Sequence, residues 1–462
     1  MRETGEIAMG IVMQADALAI PDVPEAPAAH ADPRQLLLDA PMTRFQVTAL
    51  GVTMALCALD GFDVLAITFA APALLPEFGI GKAQLGYALS AGLLGMALGS
   101  LLLSPLADVF GRRRMLLASL ALMVGGTLWT ATVHSLAGLV TSRVVTGIGI
   151  GAMIGVIFPL ATEYANSRRR DLAVAMMSMG YPIGGILGGL VSAGLLATYG
   201  WRAIFLAASG LGIVLAIGVW KLLLDPVALI VARPGRDGLA RVNAYLRRCG
   251  HPPVAALPPP PPVAKVPMAS LFGAGMARDT LMITTIYFLY MIPQFFMQTW
   301  LPTLLADIGV SPARSAFYAT FFSIGGVCAA LFIGASSLRI GLKRLELGLL
   351  LGAAIGVAAF AWLPNRAGLL IVGAGVAGFF VMGGMIGMYA IISRTFPAEM
   401  RASGNGFVIG VGRIGSILPP ILAGMLFAAG TGRVTIAALM AAPALVSLLL
   451  LTAFRVRPTT TA

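Results

Sequence analysis

The stretch LDGFDVL, residues 59–65, sets two carboxylates, Asp60 and Asp63, inside an apolar run that extends from about residue 45 to residue 75. Each carboxylate costs roughly 2.5–3.5 kcal/mol at the centre of a membrane-spanning helix. A spacing of three puts them on one helix face, about 60° apart, so that face must turn toward protein rather than lipid. Two acids so close in a low dielectric repel, which favours one of them holding a proton. An acid that gains and loses a proton near neutral pH is what a proton-coupled carrier needs. Gly61, between them, leaves room for a substrate or a neighbouring helix. Two arginines are equally out of place, Arg143 in TSRVVTGIGIGAMIG and Arg413 in GVGRIGSILPP. A guanidinium in such surroundings is costly unless paired, and it grips a carboxylate through two parallel hydrogen bonds. Arg413 is therefore a candidate ligand for an anionic, carboxylate-bearing substrate. Arg143 is either a second ligand or an ion-pair partner of Asp60 and Asp63 within its own half of the chain. Pure charge neutralisation is the competing role for the aspartates, and the two roles can coexist.

These residues need elements to hold them. Of the 462 residues, 58% are hydrophobic and 11% charged, with a mean hydropathy of +0.91. A soluble domain averages about 25% charged residues, so the chain is a polytopic membrane protein. Its apolar runs are continuous, which excludes a β-barrel and predicts an all-α integral membrane fold. Twelve spans are expected, near 45–75, 84–107, 114–132, 136–162, 171–198, 203–224, 280–305, 314–336, 346–363, 367–392, 404–428 and 434–454. Basic residues concentrate on one side: 23 fall in one set of loops and the tails, and 5 in the other set. That asymmetry predicts that both termini are cytoplasmic, and the same placement argues that the net charge of +12 does not serve nucleic acid. The expected organisation is a disordered cytoplasmic tail over 1–44, a six-helix half over 45–224, a cytoplasmic connection over 225–278, a second six-helix half over 279–455 and a short tail over 456–462. Within the connection, RDGLARVNAYLRRCG predicts a surface helix and LPPPPPV a stiff extended linker. No basic, then apolar, leader precedes the first span, so no signal peptide is expected. Cys57, Cys249 and Cys328 are far apart and form no metal-ligand spacing.

An internal repeat supports the division. SPLADVFGRRR (104–114) follows the second span and GASSLRIGLKR (334–344) the eighth; a shift of 230 residues lays Gly111 on Gly341, Arg113 on Lys343 and Arg114 on Arg344. Two related halves facing each other is an alternating-access design. PLADVFGRRR also resembles the loop motif of the major facilitator superfamily, Gly-x-Leu-x-Asp-Arg-x-Gly-Arg-Lys/Arg, and the resemblance extends from about residue 45 to 455. Ser104 replaces the first glycine, Val109 the arginine after the acid, and Leu338 the acid of the second copy. By this resemblance Asp108, Gly111, Arg112 and Arg113 gate the conformational change, with the second-half brace weakened. Asp108 is expected to accept hydrogen bonds at a helix N-terminus, where a carboxylate is favoured.

LDGFDVLAITFAAPAL, LATEYANSRRR (160–170) and FPAEMRASGNGFVIGVGRIGSILPPILAG (396–424) resemble the aromatic acid:proton symporter family more closely. That resemblance implies hydroxybenzoates, protocatechuate, vanillate or benzoate as substrates, and assigns proton coupling to Asp60 and Asp63. Ring contacts are expected from Phe62 and from Tyr290 and Gln294, which stand four apart beside Pro293. Span 7 also offers Tyr287, Phe295, Phe296, Gln298 and Trp300, span 8 Phe317, Tyr318, Phe321 and Phe322, and span 10 Tyr389, although most such aromatics in membrane helices serve packing or the interface. The glycine-rich GYPIGGILGG (180–189) predicts helix packing or a hinge. GIGIGAMIG follows no strand, so it is no nucleotide loop. The expected protein is a monomeric transporter of a bacterial inner membrane that imports an aromatic carboxylate with protons and uses neither cofactor nor metal. An exporter on the same scaffold is the first alternative. An enzyme or sensor is a distant one, since His30, His134 and His251 fall in tails or loops.

Overall fold

Without water, a bilayer interior leaves the backbone no partner outside its own helix, and in the computed structural model the described residues, 32–259, 268–273, 275–397 and 400–454, form helices and no strand. In chain order these are α1 (Pro33–Asp39), α2 (Arg44–Phe78), α3 (Lys82–Phe110), α4 (Arg112–Thr132), α5 (Leu136–Tyr164), α6 (Arg170–Thr198) and α7 (Arg202–Leu222). Two short helices of the connection follow, α8 (Val227–Ala232) and α9 (Gly238–Arg248). The second half contains α10 (Ala277–Ala306), α11 (Pro312–Ile340), α12 (Leu342–Phe360), α13 (Ala367–Thr395), α14 (Arg401–Ala428) and α15 (Arg433–Ala453). Eleven helices among the described residues are long and apolar enough to cross a membrane. The twelfth expected span is α12, whose first turns carry Lys343, Arg344 and Glu346.

Helix α2 shows how sequence sets the ends. Thr43 and Gln46 form a capping box, with the Thr43 amide donating to Gln46 Oε1 at 2.9 Å. Gly79, at φ 58°, ends the helix in the left-handed region. The repeat is visible in the backbone as well. Gly111 precedes α4 at φ 97° and Gly341 precedes α12 at φ 85°, a region that favours glycine. In each half, a basic residue two positions later reaches a carbonyl near the end of that half's last helix. Arg113 donates to Trp220, and Lys343 to Phe454 at 2.7 Å.

Glycines set the close helix approaches. A Cβ on Gly95 or Gly99 of α3 would collide with the α5 backbone, and one on Gly325 of α11 or Gly378 of α13 would collide across the equivalent pair in the second half. The glycines of α6 serve two neighbours. Gly180 and Gly184 lie against α2, while Gly185 and Gly189 face Ser323 and Thr320 of α11 in the other half. The halves also meet where the Ser90 hydroxyl donates to the Ile417 carbonyl at 2.8 Å. At the end of the bundle opposite residues 44 and 453, Lys82 pairs with Asp307 at 2.6 Å.

Two expectations change. Residues 33–39 are not disordered: Asp32 caps α1, and Leu36 and Leu37 pack on the first half. The rest of that tail, 1–31, lies outside the described residues, as do residues 260–267 of the proline-rich linker and 455–462. The connection's expected surface helix is α9, and it docks on protein. Val242, Tyr245 and Leu246 are buried, and Tyr245 stacks on Tyr164 with centroids 6.1 Å apart.

Candidate functional site

Asp60 and Asp63 both turn inward, and their surroundings separate them. Gly61 allows α6 to approach so closely that a Cβ there would collide with the Tyr181 carbonyl oxygen. The neighbouring helix, not a ligand, takes that space. Phe62 is buried and packs on Gly188 of α6.

Asp63 is fully buried and fully engaged. Its Oδ1 accepts from the Thr127 hydroxyl at 2.9 Å, and its Oδ2 lies 3.2 Å from Arg143 Nη2. The same nitrogen donates to the Asp63 carbonyl at 3.1 Å, and the guanidinium carbon lies 5.7 Å from the Phe205 ring centroid. Arg143 Nε and Nη1 have no partner, and the guanidinium lines a void of about 10 Å³ together with Thr68, Gly92 and Thr299. That is about the room one water needs.

Asp60 is buried too, but its Oδ1 has no partner. The cation that acts on it electrostatically is Arg413, on the other half. Arg413 is half-buried and makes no ion pair among the described residues. It also acts on the hydroxyls of Tyr287 and Tyr389, which lie 3.3 Å apart. Tyr287 occupies the space opened by Gly412, beside Arg413. From α6, the Tyr181 hydroxyl feels the charge of Asp60 and accepts from Gln298, and Gln298 accepts from Gln294 at 3.1 Å. Gln294 is fully buried and its Oε1 has no partner. Asp60, Tyr181, Gln294, Gln298, Tyr287, Tyr389 and Arg413 thus share one polar constellation where the halves meet. Buried polar atoms normally find partners, so the orphaned oxygens of Asp60 and Gln294 mark a place suited to hydrogen-bond donors from a ligand or water.

Tyr290 stands elsewhere. It lies one turn before Gln294 on α10, but its hydroxyl donates to the Val381 carbonyl and fills the space above Gly384, inside the second half. Sequence reasoning missed Tyr181, hidden in a motif read only for its glycines. It also missed Thr127, an ordinary threonine until α4 packs on α2.

At the opposite end of the bundle, where α2 starts and α15 ends, Arg112 Nη2 lies 3.0 Å from Glu163 and 3.3 Å from Asp108. Asp108 is exposed, and the acid at the N-terminus of α4 is Asp225. The Arg113 amide donates to Asp225 Oδ1 at 2.9 Å, and Asp225 Oδ2 would lie 2.9 Å from a Cβ on Gly111. Arg241 of α9 pairs with the same carboxylate. The helix-terminus role expected of Asp108 therefore falls to Asp225, which a loop after α7 brings within reach.

Comparison with known proteins agrees with this architecture. A family model described as Major Facilitator Superfamily matches residues 53–299 and 283–462. A 4-hydroxybenzoate transporter of Acinetobacter baylyi is 33% identical over 84% of this chain and 86% of its own length. A gallate transporter of Pseudomonas putida is 30% identical over 89% of this chain and 92% of its own. Among solved structures, the xylose transporter of E. coli, in a partially occluded inward-open conformation, covers 91% of this chain and 99% of its own with a TM-score of 0.70 and 15% identity.

Proposed function

The chain belongs to the Major Facilitator Superfamily, and on that premise we propose that it imports an aromatic carboxylate with a proton across a bacterial inner membrane, its termini in the cytoplasm. It is a transporter rather than an enzyme. The observation that carries the reading is Arg413, a half-buried cation without an ion pair among the described residues, whose charge acts across the halves on the orphaned carboxylate of Asp60.

A substrate carboxylate on Arg413 takes away the counter-charge of Asp60 and adds a negative charge beside it. A proton on Asp60 restores neutrality, so anion and proton favour each other's binding. Loaded, the interface contains a paired anion and a neutral acid, and the halves can swing past each other at lower cost. Unloaded, Asp60 and Arg413 face one another. Asp63 is already matched by Arg143 and holds α2 against α5 throughout. Tyr287, Tyr389 and Tyr181 supply ring faces and phenol groups suited to a hydroxylated aromatic acid. The Lys82–Asp307 contact, at the face away from the termini, closes the outer side and supports an inward-facing state.

The test is uptake of radiolabelled 4-hydroxybenzoate into proteoliposomes under an imposed pH gradient. Accumulation is expected, and is expected to vanish with a protonophore. Benzyl alcohols, which lack the carboxylate, are expected not to compete. Asp60→Asn is expected to exchange substrate but to lose the proton that Asp60 carries, so its accumulation under the pH gradient falls well short of wild type. Accumulation equal to wild type by that variant, or uptake indifferent to the protonophore, overturns the proton assignment. Efflux only, in vesicles of both orientations, overturns import.

A further inference from the structure

One buried acid plays no part in this scheme. Glu346, on α12, is fully buried, and neither carboxylate oxygen has a hydrogen-bond partner. Among the described residues no other acid has both oxygens buried and unpartnered. A carboxylate left ionised in such a place costs several kcal/mol, so the neutral acid is the form this burial accepts at least cost.

Among the described residues no ion pair or hydrogen bond to Glu346 replaces that proton. On α13, Gly387 provides the space that the carboxyl fills, since a Cβ there would collide with Oε2. Arg394 stands about two turns further along that helix, in its last turn. On its own helix, Lys343 is held by the carbonyls of Thr452 at 2.9 Å and Phe454 at 2.7 Å, and Arg344 is exposed. The charged residue of α15, Arg433, starts that helix at the opposite face, and Arg339 of α11 is exposed. The titratable neighbour is Tyr290 of α10, fitted into Gly384 one turn from Gly387.

That neighbour links Glu346 to the site. Tyr290 lies one and two turns before Gln294 and Gln298 on the same helix, so movement of α10 at the site shifts Tyr290 against α13 and changes the cover over Glu346. Glu346 itself lies four residues into α12, about 6 Å along the axis from the helix end. We propose that Glu346 is a second proton-binding site, in the second half, that loads and unloads once per cycle. Each anion then enters with two protons rather than one. The inference rests on the symport reading above and adds a measurable consequence: one anion and two protons move one net positive charge, so an inside-negative membrane potential drives uptake.

The experiment uses the full chain in proteoliposomes at equal pH, with a potassium gradient and valinomycin, and radiolabelled 4-hydroxybenzoate as the probe. For one net charge, a tenfold potassium gradient is expected to support up to about tenfold accumulation. Glu346→Gln is expected to lose this potential-driven accumulation and to keep accumulation driven by a pH gradient. Exchange of preloaded substrate verifies that the variant is folded, and Glu346→Met serves if Glu346→Gln fails that check. Wild-type uptake that responds to the pH gradient but not to potential overturns the second proton and leaves the symport reading intact. So does a variant that retains the full response to potential. Loss of exchange in both variants assigns Glu346 to the fold and likewise overturns it. Absence of accumulation under either gradient in the wild type overturns the symport reading together with this one.

Discussion

Asparagine at Asp60 and asparagine at Asp63 are the same change three residues apart, yet the structure assigns them opposite consequences. Asp63 stabilises a guanidinium that is 2% exposed, across 3.2 Å. Removing one member of such a buried pair costs about 3–5 kcal/mol, mostly because the other charge is stranded. Two features place Asp63→Asn near 3 kcal/mol. Arg143 Nη2 keeps its bond to the residue-63 carbonyl at 3.1 Å, and Phe205 still offers its ring face. Asp60 has an unpartnered oxygen and no ion pair, and Arg413, whose charge acts on it, is only half-buried, so a neutral amide there strands no sealed-in cation and is expected to cost about 1 kcal/mol or less. Adding Arg143→Met to Asp63→Asn removes the stranded cation and is expected to recover most of the loss, since a neutral pair is often no worse than a buried ionic one. The assay is unfolding in mixed micelles with rising dodecyl sulfate, followed by tryptophan fluorescence. Asp63→Asn is expected to unfold well before Asp60→Asn, and the double variant between them. Equal stability of the two single variants would refute the division of labour between the aspartates, as would a double variant weaker than Asp63→Asn.

Arg413→Lys keeps the charge but loses the planar fork; about 1.5–3 kcal/mol of charge-assisted hydrogen bonding is at stake, so KM for a carboxylate substrate should rise about 10–100-fold in initial-rate uptake, with normal protein in the membrane. Gly61→Ala forces a Cβ into the Tyr181 carbonyl, whereas Gly51→Ala meets nothing within 4 Å. The first is expected to cost about 1–3 kcal/mol and the second nothing, read as folded protein recovered by size exclusion. Asp225→Asn should slow transport more than Asp108→Asn, because Asp225 joins the start of α4 to α9 while Asp108 is exposed; equal rates in the two variants would return the gate to Asp108.

What the sequence discloses and what it hides follow from one physical fact. A bilayer punishes any departure from a long apolar helix, so the spans, their number and the costly residues within them can be read directly: Asp60, Asp63, Arg143 and Arg413 are conspicuous because lipid cannot accept them. The same solvent erases the cues that would say which way a side chain points. Helix α10 is buried on nearly every face, so no polar stripe separates Tyr290, which turns into the second half, from Gln294, one turn on, which turns toward Asp60. The i,i+3 spacing likewise places the two aspartates on one face but cannot tell which meets Arg143. Thr127 decides that, and a threonine on α4 announces nothing until α4 packs on α2.

Context misleads in the other direction near the ends of spans. Glu346 follows Lys343 and Arg344 so closely that it reads as part of a solvated charge cluster, yet one turn of helix carries it from the surface into a sealed interior behind Gly387. Asp225 opens a proline-rich connection and reads as linker, yet the left-handed turn at Gly111 brings the α4 amide to it. In both, a glycine without a Cβ makes the contact possible. A sequence with 56 glycines does not say which of them faces an acid. For this fold the informative glycines are those whose missing Cβ is occupied by a neighbouring side chain, and two of those, at 111 and 387, lead to acids that hydropathy alone does not single out.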